Sequence, residues 1–268
     1  MNNADIKIII SKQDLNGEKG VALLPKVLEG VQWTTERYGT AGKLEFSILN
    51  EGIIYPEEGD KVEFYYNGTP IFYGFIFTIR RDKSDVIKLT AYDQLRYLKN
   101  KGIHQYLNKR ADEVIKMLAE DYRLKVGELE NTKFVIPRRI EVNKTLLDII
   151  NTSLSITMQN IKKIYVLYDH FGKIILKDIE TLKLEILLDE NSSENFSYIS
   201  SIDKKTRSFS LKKVLGDIRC RAGFSLYVKL DLGDVEIDNT MIINRVTHIF
   251  NFQEHLMNLD LIGGVINV

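Results

Sequence analysis

Lys61-Val62-Glu63-Phe64-Tyr65-Tyr66-Asn67-Gly68-Thr69-Pro70-Ile71-Phe72-Tyr73-Gly74-Phe75-Ile76-Phe77-Thr78-Ile79 is the stretch from which the fold can be read. Val62, Phe64 and Tyr66 alternate with Lys61, Glu63 and Tyr65, the period of a half-buried strand. The run meets Asn67-Gly68, the strongest short hairpin signal. A long strand follows, with Ile71, Tyr73, Phe75, Phe77 and Ile79 on one face and Phe72 and Ile76 on the other. It is apolar on both sides near its middle, so its outer surface needs cover from another domain or another subunit.

Working outward, Leu44, Phe46 and Ile48 alternate with Lys43, Glu45 and Ser47, and one more strand is expected over 86–92. With turns at Glu58-Gly59-Asp60, Asn67-Gly68 and Asp82-Lys83-Ser84, the chain from Ile6 to about Tyr92 reads as a meander or small barrel. The period then changes. Ala111, Val114, Ile115, Leu118 and Tyr122 predict a helix with Asn108 as its cap, and Leu146, Ile149, Ile150 and Leu154 a second with Asn143 as its cap. Phe134-Val135-Ile136 reads as a short strand ended by Pro137, and 164–168 and 173–177 as a hairpin around Asp169-His170-Phe171-Gly172. From about Asn195 the period returns to two, in strands over 196–202, 208–214, 224–230, 240–250 and 255–262, with 185–194 as a linker. The chain is therefore expected to be mainly β with an α+β insertion, in units of 1–98, 99–190 and 191–268.

Composition narrows the function classes. Lys+Arg and Asp+Glu both total 37 in 268 residues, so no overall field draws in a phosphate backbone. One cysteine, Cys220, excludes an intrachain disulfide framework and a thiolate metal cage, and fits a reducing cytoplasm. Its ordinary role is a small apolar filler in a strand. No stretch reaches the roughly 18 apolar residues of a membrane span, and Met1-Asn2-Asn3-Ala4-Asp5 lacks the basic and apolar regions of a signal peptide.

Each candidate constellation has an ordinary explanation. Gly39-Thr40-Ala41-Gly42-Lys43 invites a phosphate-loop reading, but the first glycine of that motif would fall on Arg37 and a strand follows where a helix is required. Glu57, Glu58 and Asp60 cluster in a turn that offers little burial to split their pKa values. His104 and His170 lie in polar loop or turn contexts. If 251–254 form a four-residue loop, Phe250 faces His255 and His248 lies diagonally across, which reads as a surface pair. A metal shared by His248 and His255 would lack a third ligand of obvious spacing. Basic pairs at Arg80-Arg81, Lys109-Arg110, Arg138-Arg139, Lys204-Lys205 and Lys212-Lys213, with Arg219 and Arg221 around Cys220, read as solvated rims or salt bridges. The alternative is a nucleic-acid-binding β-barrel with tyrosines as stacking platforms. Catalytic, cofactor-binding and metal residues are each expected to be none, and the chain is not expected to be an enzyme.

Residues 33–42, Trp-Thr-Thr-Glu-Arg-Tyr-Gly-Thr-Ala-Gly, continuing into Lys-Leu-Glu-Phe-Ser at 43–47, carry a likeness, as do Pro-Glu-Glu-Gly-Asp-Lys-Val at 56–62, Gly-Phe-Ile-Phe at 74–77 and Leu-Thr-Ala-Tyr-Asp at 89–93. It extends through 111–120, Tyr-Val-Leu-Tyr at 165–168, Phe-Gly-Lys-Ile at 171–174, Val-Thr-His at 246–248 and Glu-His-Leu-Met at 254–257. Residues 216–224 fit the pattern least. The whole resembles the baseplate hub proteins of contractile phage tails, as found in Gram-positive prophages and phage-tail-like bacteriocins. That resemblance implies two tube-like β-barrel modules flanking a small helix-containing domain. It also implies a homotrimer joining a hexameric tail tube to a trimeric central spike. The implied partners are the tail tube protein, the central spike protein, other baseplate proteins and a tape measure protein in the channel, with no membrane insertion and no sequence-specific nucleic acid. Assembly in the bacterial cytoplasm and release in the particle follow from the same likeness.

Overall fold

The structure is a computed structural model that describes residues 4–12, 21–52, 55–83, 85–192, 195–201, 206–231 and 236–263. Ser84, Ile202, Lys204 and Lys205, named above, lie outside the described residues, as do Met1, Asn2, Asn3 and Glu194.

The first unit consists of β1 (Ile6–Ser11), β2 (Ala22–Leu23), β3 (Val31–Glu36), β4 (Lys43–Leu49), β5 (Lys61–Tyr66), β6 (Thr69–Arg81) and β7 (Val86–Tyr92), followed by a 3₁₀ turn at Gln94–Lys99. Asn67 and Gly68 take φ of 48° and 74°, the pair of positive angles that a right-twisted two-residue hairpin demands. The inward residues are those the alternation selects: Leu44, Phe46, Ile48, Val62, Phe64, Phe72 and Ile76 share one buried core. The outer face of β6 is half-buried, and the cover it needs comes from inside the chain. Phe171 packs edge-on against Tyr73, and Tyr97 against Phe75.

The middle unit contains β8 (Lys101–Arg110), α1 (Ala111–Asp121), β9 (Val126–Leu129), β10 (Val135–Thr145), α2 (Leu146–Ile161), β11 (Tyr165–Asp169) and β12 (Ile174–Asp178). β8 and β10 form an antiparallel ribbon, and β11, β12 and β9 a three-stranded sheet. Val114, Ile115 and Leu118 of α1 and Leu146, Ile149 and Ile150 of α2 share a core with Tyr106 and Ile136 of the ribbon. Both expected caps are displaced. At α1 the Arg110 amide donates to Glu113 Oε2 (2.8 Å), and at α2 Thr145 Oγ1 accepts from the Asp148 amide (3.0 Å). Asn108 and Asn143 instead hold left-handed angles, φ 49° and 53°, within the ribbon strands. Such kinks interrupt strict alternation, which is why β8 goes unread in the sequence. The short strand expected at 134–136 runs on past Pro137 to Thr145.

The third unit contains β13 (Lys183–Leu188), β14 (Asn195–Ser201), β15 (Thr206–Leu215), β16 (Ser225–Asp231), β17 (Glu236–Phe250) and β18 (His255–Gly263). The linker expectation fails over 185–188, because β13 pairs in parallel with β16. At 15 residues β17 is long enough for two tasks. Its first half pairs with β16, and Arg245–Phe250 pairs with Glu36–Val31 of β3 in the first unit. The two β units therefore share one 13-stranded sheet. The mainly-β fold with an α+β insertion holds, whereas the barrels expected from the resemblance do not close among the described residues. β13 and β15 diverge, and a cleft of about 600 Å³ opens between them.

Candidate functional site: a buried polar junction

Three hydrophobic cores meet where β3, β11, β17 and the turn 216–224 converge, and the groups at that meeting are polar. The glycine turn after β3 supplies the first. Its Gly42 amide donates to Asp93 Oδ2 (2.7 Å), while Asp93 Oδ1 accepts from the Leu95 amide (2.9 Å) and starts the 3₁₀ turn. A Cβ at Gly42 would stand 2.6 Å from Asp93 Oδ2, so only glycine lets the carboxylate sit there. The turn that resembled a phosphate loop thus cradles a carboxyl group of the protein itself, and Lys43 pairs with Glu45 at 2.7 Å.

Asp169, at the end of β11, is the second carboxylate. It accepts from the Gly172 amide (2.8 Å) and from Gln94 Nε2 (2.9 Å). Gln94 also donates to Lys125 O and accepts from the Lys125 amide, both at 3.0 Å, so one amide ties the 3₁₀ turn to β11 and to the segment that leads into β9. Arg221 closes the group. Only 9% exposed, it donates through Nη1 to Asp169 O (2.9 Å), and its guanidinium lies 4.7 Å from the Trp33 ring centroid. The neighbouring Ala222 amide donates to Thr35 Oγ1 (3.0 Å).

Trp33 also stacks on His248, centroids 5.0 Å apart. His248 Nε2 lies 2.9 Å from Cys220 O, and Nδ1 lies 3.0 Å from His255 Nε2. A carbonyl only accepts, so His248 Nε2 carries the proton; its Nδ1 then accepts from His255 Nε2–H. Both rings are neutral in this chain of bonds. Burial and its neighbour push His248 down to about 3, and burial takes His255 to about 4. The surface reading of this pair is therefore corrected: His248 is wholly buried and His255 nearly so, stacked on Phe250 at 4.3 Å. The hairpin itself forms as expected, with Phe250 opposite His255.

On the acidic side, burial raises Asp169 to about 6 and pushes Asp93 well above the usual carboxylate range, with Asp169's charge adding to the latter. One cation, Arg221, faces both carboxylates and draws them back down. Electroneutrality is reached when the pair keeps one proton, the direction in which burial drives both. A cavity of about 20 Å³ beside Trp33, Asp93 and Arg221 has room for one water and nothing larger. The Cys220 thiol, pushed up to about 12 by burial, is inert and sits in a turn rather than the expected strand. These groups are spent on each other, so what the arrangement does is hold three units in one relation.

The remaining candidates stay apart. Asp60 is buried and accepts from the Glu57 amide (2.8 Å), and Lys12 pairs with Glu57 (2.8 Å). His104 lies on β8, 3.7 Å from Asp121, and His170 is exposed in the β11–β12 turn. Arg219 pairs with Asp217 at the surface, but Arg221 is no rim residue. Among the described residues no three His, Cys, Asp or Glu groups converge for a metal, and no helix is long and apolar enough to cross a membrane. Sequence reading missed Asp93, Gln94, Asp169 and Arg221 as a set. The available signal was a charged or amide residue directly after an apolar strand, at Tyr92-Asp93-Gln94 and Tyr168-Asp169.

A family model described as YQBQ-like matches residues 31–208 and 203–262. Among curated proteins, YqbQ of Bacillus subtilis strain 168 is 29% identical over 197 residues, 71% of this chain and 60% of that protein. The phage-like element PBSX protein XkdQ of the same strain is 31% identical over 165 residues, 59% of this chain and 50% of that protein. The chain thus spans half to three fifths of the length of these relatives. Among solved structures, the 43 kDa tail protein of prophage MuSo2 from Shewanella oneidensis superposes with a TM-score of 0.71 at 10% identity, covering 96% of this chain and 98% of that one. The expected likeness to tail hub proteins of the Gram-positive prophage type is borne out.

Proposed function

The chain belongs to the YQBQ-like family, and from that premise we propose that it is the structural baseplate hub of a contractile tail or injection particle. In this reading three copies join a hexameric tail tube to a trimeric central spike, in a phage or a phage-tail-like bacteriocin. The observation that carries it is the pairing of β17 with β3, which fuses two β units into one sheet. Each chain then offers two sheet-bearing modules in a fixed relation, and three chains offer six. The polar junction supports the same reading. A hub under load must not let its modules hinge, and a buried network of directional hydrogen bonds resists that more than apolar contact does. The open cleft beside β13 supports it too, since unclosed sheets gain by closing against neighbours. Nothing in the junction is free to perform catalysis, in keeping with a structural role.

The decisive experiment is co-expression with the tube and spike proteins of the same tail cluster, followed by native mass measurement and negative-stain imaging. A threefold ring carrying six modules, or trimerisation on meeting either protein, is the expected result. A chain that stays monomeric and joins neither protein refutes the proposal.

A further inference from the structure

The ribbon of β8 and β10 turns one face to the helices and the other to solvent. Tyr106 and Ile136 are buried on the helix side. On the outer face the register sets Ile103 opposite Val142, Gln105 opposite Ile140 and Leu107 opposite Arg138. Ile103 is 75% exposed, Leu107 59%, Ile140 53% and Val142 59%. Together they expose roughly 450 Å² of aliphatic surface, well inside the 300–600 Å² of the largest patches on soluble proteins. Lys101 lies on the same face by alternation, so its charges are Lys101 and Arg138, with no carboxylate on it. Neither cation has an ion-pair partner among the described residues, whereas on the inner side Arg139 and Lys144 both reach Glu141 (2.9 and 2.8 Å).

We propose that this outer face of the β8–β10 ribbon docks a protein segment that presents an aliphatic stripe flanked by carboxylates. Charge selects that occupant. A second copy applied through the same face would set Arg138 and Lys101 against each other, and roughly 450 Å² falls short of the about 800 Å² per partner that stable interfaces bury. A short acidic amphipathic segment needs less area and answers both cations. Docking is to the face and not the edges, because the left-handed Asn108 and Asn143 and the imino nitrogen of Pro137 break both edges. The face carries no aromatic ring, so it offers neither a stacking platform for single-stranded nucleic acid nor an interfacial anchor for a bilayer. The proposal does not depend on the hub reading, since it concerns the middle unit alone.

The test uses the full chain and a labelled 14-residue amphipathic peptide with leucines on one face and glutamates on the other. A lysine-for-glutamate counterpart and phosphatidylglycerol vesicles serve as competitors. Binding of the acidic peptide, weakened about tenfold or more by Ile140→Ser and by Arg138→Glu, is expected, with the lysine peptide failing to bind. Both substitutions are at exposed positions, so an unchanged urea midpoint certifies folding. The proposal is overturned if neither peptide binds, if both bind alike, or if vesicles outcompete the peptide. It is equally overturned if sedimentation shows self-association that Ile140→Ser abolishes, which would give the face to a second copy.

Discussion

Replacing Arg221 by Met tests the polar junction most directly, because Met fills a similar volume while deleting the cation that, among the described residues, faces Asp93 and Asp169. Three losses follow: the hydrogen bond to Asp169 O, the contact with Trp33, and the counter-charge. The first is worth about 1.5–3 kcal/mol for a charged donor, and the second about 1–2 kcal/mol when desolvated. Removing one partner of a buried ionic group costs about 3–5 kcal/mol in all, a figure that already contains the overlap between these losses. The third loss carries a pH signature. A carboxyl whose folded pKa lies above the unfolded 3.8 costs stability that grows as pH rises from 3.8 to the folded value and is then constant. Asp169, held at about 6 with Arg221 present, rises further without it. Between pH 7.5 and 6 the variant therefore takes up more of a proton than the native chain, whose Asp169 is only half protonated by about pH 6, and the deficit narrows by about 1 kcal/mol at about 1.4 kcal/mol per pH unit. Urea unfolding followed by the fluorescence of Trp33, the one tryptophan, reads the difference at each pH. Adding Asp169→Asn, which removes the charge and keeps the acceptor for the Gly172 amide but not the one for Gln94 Nε2, should restore the charge-dependent part. A deficit below about 1 kcal/mol at pH 7.5, or one that does not change down to pH 6, refutes the assignment.

The histidine pair gives a deficit of a different kind. His248→Phe leaves Cys220 O and His255 Nε2–H unpaired, for a loss of about 2–4 kcal/mol at pH 7 in the same assay. Both histidines sit below their ordinary 6.5, so the stability they contribute is complete above pH 6.5 and is lost as pH falls toward about 4 and about 3. Deleting His248 removes one of these protonations, and the deficit should narrow by about 1 kcal/mol or more between pH 6.5 and 5. Gly216→Ala would place a Cβ 2.3 Å from the His255 ring; a loss of about 1–3 kcal/mol in urea midpoint is expected. Gly223→Ala combines a left-handed φ of 89° with a Cβ 2.4 Å from Val166, and should match or exceed that loss, measured the same way.

What the sequence made legible divides along physical lines. Alternation and the Asn67-Gly68 turn give β4 to β7 of the first unit, because there the inward positions are consistently apolar, whereas β1, β2 and β3 are not read one by one. The ribbon escaped, because its outer face carries Ile103, Leu107, Ile140 and Val142 where a free-standing sheet would be polar, and two left-handed asparagines break its period. The junction escaped for a deeper reason. Asp93, Asp169, Arg221 and His248 are separated by up to 155 positions and carry no fixed spacing, so nothing local marks them as partners. Each looks ordinary alone: a turn aspartate, a basic residue beside a cysteine, a histidine in a strand. Their burial is visible only after β17 has paired with β3, since that pairing puts the turn 216–224 against Trp33. The segment that fitted the family pattern least is thus the one that supplies Arg221 and the Cys220 carbonyl. Three apolar cores pressed together would tolerate several relative orientations at similar cost. A junction in which carboxyl, amide and imidazole groups are hydrogen-bonded to specific partners in different units tolerates few orientations, and it is orientation that a rigid two-module subunit requires.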